Sequence, residues 1–145
     1  ITKRVTNLLK MESERGLLDL NTYLYFQEKA NRVKNDLVEF LIKQSKAGKK
    51  VVAYGAAAKG NTLLNYAGVK SDLLSFVCDA AKAKQNKYMP GSHIPIFEPN
   101  KLIDSQADYI LILPWNIAKE IRENFKNNLK SSSKFVVAVP ALTIL

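Results

Sequence analysis

Cysteine and histidine are almost absent. Cys78 is the single cysteine of the 145 residues, so no disulfide can close within the chain. His93 is the single histidine. One of each excludes a cysteine zinc cage and a multi-histidine metal centre, and no metal site is expected. The scarcity of thiols fits a reducing compartment, and a cytoplasmic location is expected. No apolar run approaches the roughly 20 residues of a membrane span, and no secretory leader pattern is visible. The lysines carry no repeated interleaving of arginines and aromatics, and no nucleic-acid motif is present. Internal repeats are also absent.

What remains is an ordinary globular composition. Hydrophobic residues make up 47% and charged residues 24%, enough for one domain with a real core. The net charge of +9 is unevenly spread. Residues 46–101 hold nine Lys/Arg against three Asp/Glu, whereas 1–45 hold eight against six and 102–145 five against four. An excess there can steer an anionic ligand toward the middle of the chain. The alternative is a solvated lysine-rich surface. The chain opens on Ile1 rather than Met and reads as a piece of a longer polypeptide.

Periodicity divides the chain into a helical arm, 1–46, and an α/β domain, 47–145. Leu20, Tyr23, Leu24, Gln27, Ala30, Val33, Leu37, Leu41 and Ile42 recur at three- and four-residue spacing, a helical stripe. Asp19 or Asn21 is placed to cap it, Gly16 to split off a short leading helix, and Gly48 to end it. From Lys49 the pattern becomes short apolar runs separated by helical segments. Strands are expected at Val51–Tyr54, Leu73–Val77, Tyr109–Leu113 and Phe135–Val139, with a brief extension at Ile94–Phe97. Helices are expected at 60–67, 99–104 and 115–129, the last with Ile117, Ile121 and Phe125 on one face. Such alternation implies a Rossmann-like parallel sheet with helices on both faces.

The first strand runs into Gly55-Ala56-Ala57-Ala58-Lys59-Gly60-Asn61-Thr62. Gly55 and Gly60 occupy the outer glycine positions of the dinucleotide fingerprint, with Ala57 in the middle one. They also match the spacing of a phosphate loop, with Thr62 in place but Asn61 where the lysine belongs. In either pattern small residues bring the backbone close to a ligand, and the N–H groups of the new helix face a phosphate. Lys59, Asn61 and Thr62 add side-chain donors. A tight turn made small for helix–strand packing is the plainer alternative. Asp79, closing the second strand, is placed to accept ribose hydroxyls, or is simply a strand-end aspartate. The third strand ends Leu113-Pro114-Trp115 without a magnesium-binding aspartate, which argues against NTP hydrolysis.

Two further clusters share the carboxyl edge. Lys82, Lys84, Lys87, Gly91 and His93 crowd the loop after strand two, where cations can meet a pyrophosphate. His93 has both a structural and a catalytic reading. Trp115 can stack on a ring, and Asn116 reads first as a helix cap.

Taken together, "YGAAAKGNTLLNYAGV", "KYMPGSHIPI" and "DYILILPWNIAKEI" resemble the C-terminal domain of the sugar C-methyltransferases, over about residues 1–140. The resemblance implies a Rossmann-like partner domain that closes over a nucleotide diphosphate-linked keto-deoxysugar. It implies an upstream zinc module and an upstream methyltransferase domain that binds S-adenosylmethionine and holds the catalytic base. On this reading Gly55, Ala56, Ala57, Lys59, Gly60, Asn61 and Thr62 form the substrate loop. Asp79, Lys84, Lys87, Gly91, His93, Trp115 and Asn116 match the other motif positions. No catalytic residue is expected in this stretch, His93 being the one candidate, and the stretch by itself is expected not to methylate anything. Ala80-Ala81-Lys82 replaces an asparagine and proline, and Asn86 stands where glycine is expected. An independent dinucleotide- or coenzyme A-binding module, and a non-binding interaction domain, remain as alternatives.

Overall fold

The computed structural model describes residues 2–145. Its helices are α1 Lys3–Glu14, α2 Asn21–Leu24, α3 Phe26–Lys46, α4 Ala58–Tyr66, α5 Asn100–Asp104 and α6 Ala118–Phe125. Its strands are β1 Val51–Tyr54, β2 Val77–Cys78, β3 Lys87–Tyr88, β4 Pro95–Phe97, β5 Tyr109–Ile112, β6 Lys134–Val137 and β7 Thr143–Ile144. The chain forms two compact units, one ending at Arg32 and the other running Val33–Leu145. The unit boundary falls inside α3. Its second half sends Leu37, Phe40 and Leu41 into the sheet's core, so residues 33–46 fold with the α/β domain rather than with the arm.

The sheet of the second unit is ordered β3-β4-β2-β1-β5-β6-β7. Its five inner strands run parallel, and β3 and β7 pair antiparallel at the two edges. The two edge strands add to the all-parallel expectation; each is two exposed residues long and leaves no periodic signal. Alternate side chains of each inner strand point to opposite faces. Val51, Ala53, Leu111 and Val136 pack with α3 and α4, while Val52, Ile110, Ile112 and Phe135 pack with α5 and α6. Both faces are therefore covered, as parallel strands require.

Local chemistry explains the departures from expectation. The second strand is only Val77–Cys78, because Leu73 and Leu74 turn back on Lys70, both donating to its carbonyl. Trp115–Ile117 is a 3-10 turn, so α6 starts at Ala118 and Ile117 is exposed. In the first unit the leading helix ends ahead of Gly16, as expected, with φ +72° at the bend, and the Asp19 carboxylate accepts the Asn21 N–H at 2.9 Å where α2 begins; the departure is the break at Tyr25, which divides the long helix into α2 and α3.

Candidate substrate site at the sheet switch point

The strand order reverses beside β1, whose neighbours are β2 on one side and β5 on the other. In open parallel sheets the crevice at that point, beyond the carboxyl ends of the strands, receives ligands. The loop 55–62 leaves β1 there, Asp79 leaves β2 and Pro114-Trp115-Asn116 leaves β5.

The loop is tightly held. Gly55 has φ +90°, and a Cβ on it would lie 2.4 Å from Pro114 Cδ. Only glycine fits both the backbone and the proline packed against it. Gly60 is required by space alone, since an added Cβ would meet Leu113 Cβ at 2.5 Å. That contact seats α4 directly on the end of β5. Ala57 is the N-cap of α4 and offers no side-chain oxygen. The first helical bond runs from Asn61 N–H to the Ala57 carbonyl at 2.9 Å. The N–H groups of Ala58, Lys59 and Gly60 precede it and have no acceptor among the described residues, the usual state of a helix start and one suited to an anion.

Lys59 bridges two loops. Its ammonium donates to Asn116 Oδ1 and lies 4.7 Å from the centre of the Trp115 ring. Asn116 is therefore an acceptor for Lys59 and does not cap α6, which has no side-chain cap. Thr62 points back along its own helix, donating from Oγ1 to the Ala58 carbonyl at 3.2 Å. Asn61 Oδ1 is buried without a hydrogen-bond partner.

Asp79 departs from expectation. Its carboxylate is buried, and Oδ2 accepts from the Ala56 N–H at 2.7 Å and from Lys84 Nζ at 3.1 Å. Oδ1 accepts from the Ala81 N–H at 2.8 Å. Ribose hydroxyls would have to compete with three donors, two of them backbone groups. Asp79 instead ties the loop after β2 to the loop after β1, and Lys84 serves that clamp. Beside it, burial, then the Asp79 carboxylate and Cys78, hold the Tyr54 phenol above its ordinary pKa.

The basic loop after β2 divides in two. Lys87 lies exposed on edge strand β3, separated from β1 by β4 and β2. Residues 89–93 form a strap fastened to the C-terminal half of α4 and to the turn that follows it. Asn65 Nδ2 donates to the Pro90 carbonyl at 2.8 Å, and Lys70 Nζ donates to the Gly91 carbonyl at 2.6 Å. Gly91 has φ +78°, and a Cβ there would lie 2.2 Å from Asn65 Oδ1. His93 is exposed on this strap with φ +58°. Asn86 has φ +59°, a left-handed position where asparagine substitutes for glycine at little cost.

With this geometry in place, comparison with known proteins is decisive. Residues 1–140 match the C-methyltransferase C-terminal domain family. This chain belongs to that family. It is 35% identical over 136 residues to the C-methyltransferase NovU of Streptomyces niveus, covering 94% of this chain and 32% of that protein. The chain thus spans about a third of the length of this relative. A crystal structure of UDP-D-quinovosamine 4-dehydrogenase from Vibrio fischeri superposes with a TM-score of 0.50 at 19% identity, over 67% of this chain and 93% of that one. That likeness shows the Rossmann-like fold.

In this C-methyltransferase C-terminal domain the structure brings together Gly55–Thr62, Asp79, Lys84, Trp115 and Asn116, and sets Lys87 apart. Sequence reasoning missed Tyr54, Asn65 and Lys70. Asn65 lies one turn after Asn61, but its task depends on where the strap returns, which no local spacing records. Among the described residues no group of three or more His, Cys, Asp or Glu could hold a metal ion, and no helix is long and apolar enough to cross a membrane.

Proposed function

We propose that this domain binds the nucleotide diphosphate sugar on which a C-methyltransferase acts. The observation that carries the reading is the switch-point crevice, where three N–H groups at the start of α4 have no acceptor among the described residues and the Lys59 ammonium lies over Trp115, in a chain of the C-methyltransferase C-terminal domain family. A diphosphate suits the N–H groups and Lys59. Trp115 offers a flat apolar face to a sugar or base. Asp79 and Lys84 hold the loop, and the strap that carries Gly91 and His93 is tied to α4 through Asn65. The excess of lysines in residues 46–101 favours an anionic ligand.

In the whole enzyme S-adenosylmethionine would supply the methyl group. Asp79, the acidic residue at the end of β2 that could take the donor's ribose, is already engaged, which disfavours a donor site here. We place the donor's binding, and removal of the proton beside the sugar's keto group, in a methyltransferase portion outside this domain. The domain's contribution is to fix the sugar's position, which by itself can lower a barrier by several kcal/mol, ~7 or more in ideal cases.

Calorimetric titration with dTDP, UDP, NAD and coenzyme A tests this. Saturable binding of a nucleoside diphosphate, weakened roughly tenfold by Lys59→Ala as expected for one charge-assisted bond, supports the proposal. Binding of NAD or coenzyme A alone would instead favour an independent dinucleotide module, a reading that the engaged Asp79 disfavours.

A further inference from the structure

The first unit carries an exposed apolar surface. Neither α1 nor α2 has a buried residue. Between Val5 and Phe26, eleven large apolar side chains are exposed, Leu18 at 82% and Tyr25 at 61% among them. Soluble surfaces scatter such residues singly, and a concentration of this kind marks a binding face. On α1 the spacing of Val5, Leu8 and Leu9 gathers them into one stripe. A 12-residue helix in water is marginal without a partner for its apolar side.

The bend that presents this surface is built rather than slack. Gly16 takes φ +72°, and a Cβ there would lie 2.8 Å from Thr22 Oγ1. Thr22 Oγ1 donates to the Gly16 carbonyl and the Tyr23 hydroxyl to the Leu17 carbonyl, both at 2.6 Å. Two side chains thus pin the turn that carries Leu17, Leu18 and Leu20 outward.

We propose that this face docks on the methyltransferase portion of the same polypeptide. The proposal rests on the reading that the chain works inside a longer C-methyltransferase. Two observations choose this occupant. The family is a C-terminal domain, its match includes the arm, and a matched relative has about two thirds of its length outside the matched region. In a C-terminal domain the preceding polypeptide enters through such an arm. The charges around the apolar residues are also mixed, with Lys3, Arg4, Lys10 and Arg15 beside Glu12, Glu14 and Asp19. Mixed charges around aromatic and leucine anchors suit a protein interface. A helix lying on anionic lipid has a predominantly basic polar face.

The full-length enzyme tests this by hydroxyl-radical footprinting read by mass spectrometry. Tyr88, 65% exposed on edge strand β3, is the internal reference for Tyr25. The expected result is Tyr25 labelled at least threefold more slowly than Tyr88, unchanged by dilution and in the absence of lipid. Equal labelling of the two overturns the proposal. So does protection of Tyr25 that vanishes on dilution, which assigns the face to a second copy, or that requires anionic vesicles, which assigns it to a membrane. Nucleoside diphosphate titration of the same sample keeps the two readings apart. Failure to bind with Tyr25 protected defeats the substrate reading and leaves the docking in place.

Discussion

Asp79 shows how much one side chain can hold. Removing its carboxylate would leave the Ala56 and Ala81 N–H groups without acceptors and Lys84 without a counter-charge. Lys84 is well exposed, so most of the loss comes from the two backbone donors. Asp79→Ala is expected to cost about 2–3 kcal/mol in urea unfolding, with Asp79→Asn costing less because an amide oxygen still accepts. Both variants should weaken nucleoside diphosphate binding, since the loop loses its tie. Unchanged stability in Asp79→Ala would mean that the loop keeps its shape without the clamp.

Two elements depend on contacts made far along the chain. α4 rests on β5 through Gly60, where no side chain fits. Gly60→Ala should push the helix off Leu113 and destabilise the domain by ~1–3 kcal/mol, as overpacking does. Chemical denaturation measures this, and a neutral result would mean that α4 shifts freely. At the opposite end of β1, Asp108 accepts the Lys50 N–H at 3.0 Å and pairs with Lys49 and Lys130. The Lys50 N–H, ahead of the neighbouring lysines, holds its carboxyl below the ordinary range. A depressed carboxyl stabilises the fold above its unfolded pKa, about 4, and that contribution is lost as pH falls through the folded value. Asp108→Asn should therefore flatten the acid limb of a stability–pH profile below about pH 4 and leave its slope near neutrality unchanged. A mutant limb as steep as wild type would rule Asp108 out as its source.

The same elements show what the sequence made legible. β1 and β5 stand where their apolar runs predict, because strands covered on both faces read as continuous hydrophobic stretches. The run Leu73–Val77 misleads. Leu73 and Leu74 face the core from a turn, and an apolar side chain buried from a turn looks the same as one buried from a strand. The glycine loop was visible, since Gly55 and Gly60 carry their spacing locally. Which donors Asp79 would meet, and that Asn65 would sit against Gly91, depend on the return of distant loops.

For the molecule as a whole, the buried Cys78 has an experimental use. It closes β2, fully inside the core beside the Asp79 clamp, and burial pushes its thiol up to about 12. At neutral pH it carries almost no thiolate and no reagent can reach it. The single thiol of this chain is therefore a timer for the opening of the sheet centre. Alkylation by excess iodoacetamide should proceed only as fast as that centre opens, and its rate should approach a plateau set by unfolding at high denaturant. A saturating nucleoside diphosphate should slow the reaction in proportion to the stability it adds. Rapid labelling of the native chain would show that β2 opens on its own, without the rest of the sheet.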